Sequence, residues 1–458
     1  MKKLLLFGGL LLSVLVAHAQ VRSGEASISF TTKKVGETVY LDMVPVGSFT
    51  VEGMTLNEKD GSYTVNAADV TISGAFKQLS MNDMGITSLR LSNQAQMELF
   101  SCSLNELTSL DCSEAPHLKT LFCPFNKLTS LDLTKNEELE SAMIYDNPSL
   151  ENLDASHLPA LKVLYASSCS LRSVDLSNND HLEVVDLYRN KLQELVLDEH
   201  PRLLRILAGG NKLKKINLSG CKNLQSLYIQ ENQIEELLLD GFEALKVVEA
   251  NNNNLSNVTI AHCPLLTNIK LQKNRISSLD LTTLPSLIEL EVEHNELLSL
   301  QVGANNKLNF IAIYDNQLNK EAMDDFVATI GKPFDSTLNP YIDIVDSSLQ
   351  TEKNSATPQQ VQALREKGWH VYDFKGSWAD RTELMGSEAS ATSLSSLRHA
   401  YIAGDILMVP DLDAAGAMLY SASGEPLLFI EEEQTDLSSL PSGVYVLVNG
   451  RASRRLIR

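Results

Sequence analysis

The sequence is poor in aromatic residues and has none of the short motifs that mark common catalytic sites. Aromatic side chains make up 6% of the 458 residues, and two of them are tryptophan. The chain contains no H-E-x-x-H, C-x-x-C, G-x-S-x-G or G-x-G-x-x-G motif and no phosphate-binding loop. We therefore predict that the protein is not an enzyme, that it has no catalytic residues, and that it uses no cofactor and no bound metal.

The chain also has little positive charge and only one long hydrophobic run. It has 38 Lys and Arg residues against 58 Asp and Glu residues, a formal net charge of −20, which argues against a nucleic-acid partner. Residues 1–19 combine two lysines, an apolar run over 4–16 and a small-residue site before Gln20, the pattern of a signal peptide. No other run is long enough to span a membrane. We expect an exported, monomeric protein without a membrane span.

The most abundant feature of the sequence is a repeat. Asparagine returns at intervals of 21 residues, with one interval of 22, and Cys169 takes the one place where Asn is missing. A period this strict indicates one supersecondary unit stacked on itself. At the turn after each strand, the side-chain amide can bond backbone groups that the stack leaves unpaired. The structural ladder consists of Asn105, Asn126, Asn147, Cys169, Asn190, Asn211, Asn232, Asn253, Asn274, Asn295 and Asn316.

Each unit reads L-x-x-L-x-L-x-x-N-x-L-x-x-L-x-L, as in residues 224–239. The first half alternates apolar and polar residues, which predicts a strand with one buried face. The second half is the return path, too short in a 21-residue unit to include a helix. The pattern resembles leucine-rich repeats over 76–330, in about 12 units of which the first is degenerate. The resemblance implies a solenoid with a parallel, concave β-sheet and a non-helical convex side.

Six cysteines are present, but their places in the repeat argue against a disulfide framework. Cys102 and Cys123 fall on inward strand positions, and Cys112 falls on the return strand. Cys221 and Cys263 share a convex-side column two repeats apart, which is beyond bridging distance. We interpret the cysteines as small buried hydrophobic residues. Cys102 and Cys123 form the one pair near enough in the stack to be oxidised.

The segments that flank the repeats are predicted to cap them. Residues 20–75 contain short β segments separated by Gly and charged turns, which predicts a small N-terminal β cap over the exposed edge of the sheet. Residues 331–381 are predicted to form an α/β cap at the other end. Residues 382–396 lose the repeat period and become rich in Ser, Thr and Ala, which indicates a linker.

Two helices are predicted around the end of the repeats. Asn319 is placed to cap a short helix that runs to about Ile330. Thr357 is placed to cap a second helix, with proline at the first helical position and Gln360 completing a capping box. Gly368 is expected to end this helix.

Residues 397–458 form a separate β-rich segment. It contains strand-like runs, Gly-Val-Tyr at 443–445 and a basic tail over 451–458. These features resemble the C-terminal sorting domain of type IX secretion cargo. The resemblance implies a seven-stranded Ig-like β-sandwich that engages the secretion machinery and is usually removed during attachment to the surface of a Gram-negative bacterium. The alternative is an ordinary Ig-like domain retained as a spacer.

The side of the repeat strands that points away from the leucine core is the predicted binding surface. Every tyrosine between 76 and 330 falls in two columns of this concave face. Tyrosine combines apolar area with a polar tip and is enriched at interfaces, although strands also favour aromatic residues without any partner. The predicted partner-binding residues are Phe122, Tyr145, Tyr165, Tyr188, Tyr228, Glu249, Lys270, Glu291, Glu293 and Tyr314.

One end of the concave face is acidic. Glu289, Glu291 and Glu293 lie on one predicted strand, next to Lys270 of the preceding unit. Glu249, Lys270 and Glu291 alternate in sign at strand spacing, which predicts cross-strand pairing on a solvated face. A metal site or a site for a basic partner is the alternative interpretation.

The repeats resemble the internalin family, in particular its internalin J-like members. The resemblance rests on the 21-residue unit, on cysteines in strand positions and on the return elements at 131–134, 174–177 and 279–282, and it covers about 76–330. The Leu-Asp-Leu element fails at Leu195-Val-Leu197 and Leu237-Leu-Leu239. The family implies adhesion through the concave face, but the identity of the partner does not transfer because concave residues vary.

These features together predict a surface-displayed adhesin of a Gram-negative bacterium. It would bind a host or bacterial surface protein through its concave face and serve host-cell attachment or biofilm formation. One alternative is a surface protein that binds a glycan or small ligand with the concave aromatic residues. Another is an exported hydrolase whose catalytic triad is assembled from residues distant in the sequence.

Overall fold

The structure is a computed structural model that describes residues 25–386, apart from Asp198 and Asn305, and parts of 401–457. The predicted signal peptide and most of the predicted linker lie outside the described residues. The chain divides into two compact units, Met1–Leu224 and Gln225–Arg458. Beyond residue 386, the described segments are 401–403, 406–408, 417–421, 426–430, 434–440, 444–449 and 452–457.

In the first unit, each repeat contributes one short strand to a parallel sheet. The middle residue of each strand is buried, as in the register Leu121–Ala142–Leu164, because alternate side chains point to opposite faces of the sheet. Stacked inward side chains therefore form a continuous core. These strands are Phe76–Ser80, Leu99–Ser101, Thr120–Phe122, Ser141–Met143, Val163–Tyr165, Val184–Asp186 and Arg205–Leu207.

The return path of the first unit is also extended. Its short strands pair in parallel across neighbouring repeats, so the convex side of these repeats is built without a helix. They are Ser109–Asp111, Ser130–Asp132, Asn152–Asp154 and Ser173–Asp175.

The ladder side chains hold the turn after each strand. Asn126 donates from Nδ2 to the carbonyl of Cys102 in the preceding repeat (3.0 Å) and to that of Cys123 in its own (3.2 Å), and its Oδ1 accepts from the amide of Leu107 (3.0 Å). Cys169 keeps the donor role, with Sγ 3.5 Å from the carbonyl oxygen of Ile144. The ladder side chains thus form hydrogen bonds with buried backbone groups that have no partner within the parallel stack.

A second column of side chains, on the convex side, also donates hydrogen bonds to backbone carbonyls. Asn136 and Asn179 donate to carbonyls of the preceding repeat, at 3.1 Å from Cys112 and Ala155 respectively. The thiol of Cys221 donates from the same column to the carbonyl of Leu197 (2.9 Å). The six cysteines are buried, so the thiols serve packing and local hydrogen bonds in the positions predicted for them.

The N-terminal strands cover the edge of the first repeat. Asp42–Pro45 pairs antiparallel with the first repeat strand, which removes an exposed sheet edge. The remaining strands form a four-stranded sheet that includes Ile86–Ser92 and a three-stranded sheet. They are Ser27–Thr32, Thr38–Val39, Thr50–Glu52, Met54–Leu56, Tyr63–Val65 and Asp69–Ser73.

The second unit contains further repeats of the same geometry. Its return strands are Glu236–Asp240, Asn257–Ala261, Ser278–Leu281 and Ser299–Val302. Its parallel strands begin with five from the repeats and end with two from residues beyond the repeats. They are Ser226–Tyr228, Val247–Glu249, Asn268–Lys270, Glu289–Glu291, Phe310–Ala312, Tyr341–Val345 and His370–Asp373.

The helices of the second unit follow the parallel repeats. Lys320–Thr329 is capped by Asn319, which accepts from the amide of Ala322 (3.0 Å). Pro358–Glu366 begins with a complete capping box between Thr357 and Gln360. A short 3-10 helix, Ser336–Leu338, lies between them in sequence. Among the residues that the structure describes, no helix is long and apolar enough to cross a bilayer.

The block that follows the repeats extends further than predicted. Thr382–Glu383 pairs antiparallel with His370–Asp373, so the first residues of the predicted 382–396 linker belong to the sheet. The reason is electrostatic, since the buried carboxylate of Glu383 pairs with Arg365 and with His370. Residues 387–396 lie outside the described residues.

The described C-terminal segments form two antiparallel sheets of three and four strands. Their buried core contains Leu407, Leu419 and Ile430 together with Leu437, Tyr445 and Leu447. The strands are Tyr401–Ala403, Ile406–Met408, Ala417–Ser421, Pro426–Ile430, Gln434–Asp436, Val444–Asn449 and Ala452–Ile457. The fold of the repeats is a leucine-rich-repeat β-solenoid, whereas the sorting-domain identity of this segment stays a prediction.

Candidate functional site

The outer face is the side of the parallel repeat strands that points away from the leucine core. It corresponds to the face that the sequence analysis predicts to be concave. In the first unit, Phe122, Tyr145, Tyr165 and Tyr188 lie on this face and are half-buried; Tyr228 has the same environment in the second unit. Their rings therefore show part of their surface to solvent while the remainder packs against neighbouring strands.

Tyr188 has polar neighbours on both sides. The guanidinium of Arg189 lies 5.1 Å from the centre of its ring, which is within range for a cation–π contact. The carboxylate of Asp186 accepts a hydrogen bond from the Tyr188 amide (3.0 Å), and partial burial raises the pKa of this carboxyl group. An aromatic ring, a cation and a carboxylate thus lie within one repeat of the outer face.

Two apolar side chains beside the outer face were missed by the sequence analysis. Leu104 and Phe125, here called the shoulder pair, are 54% and 46% exposed, and the Phe125 ring meets that of Tyr145 edge-on at 5.4 Å. Each precedes a ladder Asn and has φ of 58° or 55°, a left-handed conformation in which bulky residues are uncommon. The corresponding residues of the other repeats in the first unit are Asp83, Asp146, Ser168, Arg189 and Gly210.

The shoulder pair could have been found by comparing the residues that directly precede each ladder Asn from one repeat to the next. Small or polar residues suit a left-handed position, so two successive apolar residues there are the signal. Met143 was also missed, although the strand register places it between Phe122 and Tyr165. Together these side chains widen the apolar part of the outer face in the first unit.

In the second unit, the outer face changes from aromatic to charged. The register places Glu249, Lys270 and Glu291 side by side on three neighbouring strands. The Lys270 ammonium lies 3.1 Å from Glu291 and 3.7 Å from Glu289. Burial alone would lower the pKa of Lys270, but the carboxylates raise it by more. The predicted cross-strand pairing is therefore present for Lys270 with the glutamates of the following repeat.

Two of the predicted partner-binding residues are closed to a partner. Glu293 is 8% exposed and Tyr314 is 7% exposed. The ring of Tyr314 stacks on that of Phe374 at 4.6 Å and 8°. The chain beyond the repeats returns over Tyr314, which the repeat pattern could not indicate.

The covering segment, residues 374–381, closes this end of the outer face. Trp378 packs against the rings of Phe310 (5.9 Å) and Tyr341 (5.4 Å). The guanidinium of Arg381 lies 4.1 Å from the ring centre of Tyr372 and 3.7 Å from the carboxylate of Asp343. In the second unit, the outer face is thus open between the strands Ser226–Tyr228 and Glu289–Glu291.

The acidic strand does not have the geometry of a metal site. Within the described part of the chain, no three His, Cys, Asp or Glu side chains are grouped so that they could hold a metal ion. His294, which follows this strand, pairs instead with Asp315 at 2.6 Å and meets the Tyr314 ring at 5.3 Å.

Comparison with known proteins gives structural likenesses only. No known family and no curated protein matches the chain. The functional domain of InlJ from Listeria monocytogenes, which includes a cysteine ladder, is 16% identical over 86% of this chain and 93% of that one, with a TM-score of 0.42. An internalin from the same organism, inlF, is 18% identical over 52% and 81%, with a TM-score of 0.39.

A third similar structure is YopM, a leucine-rich effector protein from Yersinia pestis. It is 25% identical over 61% of this chain and 67% of that one, with a TM-score of 0.43. These proteins share the leucine-rich repeat with this chain.

Proposed function

We propose that this protein is a surface-displayed adhesin that binds a protein partner through the outer face of its repeats. The observation that carries the proposal is the distribution of tyrosine. All five tyrosines between residues 76 and 330 lie on the outer face, and four of them, Tyr145, Tyr165, Tyr188 and Tyr228, are half-buried and open to solvent. Tyrosine at such sites gives large contact area at low entropic cost.

The shoulder pair favours a protein partner over a glycan or small ligand. Leu104 and Phe125 add exposed apolar area next to Tyr145, whereas a small polar ligand would gain little from aliphatic contact. A surface of aromatic and aliphatic groups with charged neighbours suits a folded partner. Host-cell attachment and biofilm formation are the two roles proposed for this binding.

Export and display are proposed to depend on the two ends of the chain. The first 19 residues would direct export, and residues 397–458 would act as a type IX sorting domain that takes the protein across the outer membrane of a Gram-negative bacterium. The Gly-Val-Tyr motif at 443–445 and the basic tail at 451–458 support this proposal.

Deleting residues 396–458 is expected to trap the repeats in the periplasm, because the sorting signal is lost while the repeats keep their own core. Cell fractionation and surface immunolabelling with an antibody to the repeats measure this directly. The matched control is a chain that carries the same deletion and a sorting domain from an established type IX cargo, which should restore display. Normal display of the truncated chain would contradict the sorting role and favour a spacer.

A further inference from the structure

The first unit carries a basic region in an otherwise acidic chain. Residues 187–224 contain eight Lys and Arg residues against three Asp and Glu residues, whereas the whole chain has a formal net charge of −20. Arg189, Lys191 and Lys212, here called the basic edge, are exposed side chains in the turns that follow two neighbouring parallel strands. Arg189 and Lys191 directly flank one ladder Asn, and Lys212 directly follows the next. The basic edge therefore lies on the same side of the repeats as the shoulder pair.

The charges of the basic edge are not neutralised from within the described part of the chain. Among the residues that the structure describes, no Asp or Glu forms a salt bridge with Arg189, Lys191 or Lys212. By contrast, Lys127 has the position of Lys191 in an earlier repeat and lies 2.7 Å from Glu106. Stacked turns put Lys191 and Lys212 about 5 Å apart at the backbone, and like charges at this spacing repel each other. An anion from another molecule would remove this repulsion.

The side chain of Arg189 is held next to the outer face. Gly210 has the equivalent turn position in the next repeat, with φ of 67°, and a Cβ atom there would lie 3.2 Å from Cγ of Arg189. The glycine thus leaves room for the stem of Arg189. The guanidinium lies 5.1 Å from the ring centre of Tyr188, and the Arg189 amide donates to the carbonyl of Gly209 (2.9 Å). The first cation of the basic edge is therefore placed beside one of the open tyrosines.

The neighbouring carboxylates limit the length of the anion that fits. Asp146 lies two repeats before Arg189 in the column of residues that precede the ladder, and the carboxylate of Asp186 lies beside Tyr188. A long polyanion, such as a sulfated polysaccharide, would extend over these carboxylates and would be repelled by the net charge of the chain. A short acidic segment of a protein can reach the three cations without this cost, and its apolar side chains can pack on Tyr188.

We propose that the basic edge binds the carboxylates of a short acidic segment presented by the protein partner. Arg189 would donate to one carboxylate with two parallel hydrogen bonds, and Lys191 and Lys212 would attract further carboxylates as point charges. Exposed ion pairs add little affinity each, so the basic edge acts mainly on the orientation and the association rate of the partner. This inference rests on the proposed function and names the part of the partner that meets this repeat.

The experiment titrates the full mature chain with an acetylated and amidated hexapeptide of alternating Glu and Ser, followed by ligand-observed NMR. A neutral control peptide has Gln in place of each Glu. At low ionic strength, the Glu peptide is expected to bind with a Kd on the order of 1 mM, and the Gln peptide at least about tenfold more weakly. Salt at about 0.3 M should weaken the Glu peptide at least about threefold, because exposed charges are screened. Equal binding of the two peptides would overturn the proposal.

Two double variants distinguish the basic edge from the net charge of the chain. Lys191→Gln combined with Lys212→Gln is expected to raise the Kd for the Glu peptide about tenfold, because both point charges are lost. The matched control, Lys127→Gln combined with Lys162→Gln, changes the net charge equally but removes cations that already pair with glutamates at 2.7 and 2.6 Å. It is expected to raise the Kd less than about twofold. None of the four lysines is buried, so both variants should fold. Equal weakening in the two variants would overturn the proposal.

Chondroitin sulfate is the third probe, because it is a sulfated polysaccharide. Its chains are expected not to displace the Glu peptide, since they would extend over the carboxylates around the basic edge. Displacement by chondroitin sulfate that is lost in the variant of Lys191 and Lys212 would overturn the acidic-segment proposal and assign the site to a sulfated glycan.

Cell attachment separates this inference from the proposed function. Cells that display the variant of Lys191 and Lys212 are expected to attach about threefold more slowly than wild type at low ionic strength. If they attach at the wild-type rate while replacement of the four open tyrosines abolishes attachment, the acidic-segment proposal is wrong and the adhesin proposal stands. If the Glu peptide binds through these lysines but attachment survives replacement of the tyrosines, the adhesin proposal is wrong and the anion site stands.

Discussion

Replacing Tyr145, Tyr165, Tyr188 and Tyr228 together by alanine is expected to abolish attachment. Each ring is half-buried on the outer face, so truncation removes contact area that a partner would cover. A tyrosine that is a hot spot of an interface costs about 2 kcal/mol or more when it is truncated, although such losses do not add. A fall of at least about a hundredfold in apparent affinity is expected, which corresponds to about 3 kcal/mol. Attachment of cells that display the variant, counted against wild type, measures the effect.

A matched variant distinguishes lost contact from lost stability. Val196, Leu238 and Leu298 are 64%, 56% and 59% exposed and lie on or beside the return path. Their replacement by alanine removes apolar surface of similar kind from the other side of the repeats. It is expected to leave attachment intact, and both variants should keep a thermal midpoint within a few degrees of wild type. Equal loss of attachment in the two variants would count against the outer face.

Replacing Leu227 by aspartate is expected to unfold several repeats of the second unit. Leu227 is fully buried and stacks beside Val248 of the next strand. An unpaired carboxylate in this core costs several kcal/mol, which is comparable with the whole stability of a typical domain. Because each repeat is stabilised mainly by its neighbours, the loss should spread along the stack. Hydrogen exchange measured by mass spectrometry reports which repeats lose protection.

Leu238 offers the control for this substitution, because it lies eleven residues further on and is 56% exposed. Leu238→Asp should change the free energy of unfolding by less than about 1 kcal/mol. Protection that is lost only in the repeat of Leu227, with its neighbours unchanged, would contradict the stacked core.

The repeats could be predicted from the sequence because their physics is local and periodic. A 21-residue period fixes which side chains point inward, and each buried leucine meets its counterpart one period away. The turn after each strand needs a donor for the same carbonyl in every unit, so Asn recurs and Cys169 can replace it at the cost of longer contacts. Residues that share a column could therefore be assigned to one face.

The closed part of the outer face could not be predicted in this way. Tyr314 lies in one of the two predicted columns, but Phe374 stacks on its ring from outside the periodic region. No spacing rule relates Arg381 to Asp343, since their contact depends on how a non-repeating segment folds back. The shoulder pair was overlooked for another reason: Phe125 holds a backbone conformation that the apolar pattern does not describe.

Selective blocking of one side of a single repeat shows whether attachment uses the outer face. The native cysteines are buried, and burial raises the pKa of the Cys102 thiol to about 12, so a maleimide polymer should react at an introduced surface cysteine. Tyr188→Cys places the polymer on the outer face, and Val196→Cys places it on the return path of the same repeat. Polymer at position 188 is predicted to prevent attachment, and polymer at position 196 to leave it intact. Attachment that survives the polymer at position 188 would contradict binding through the outer face.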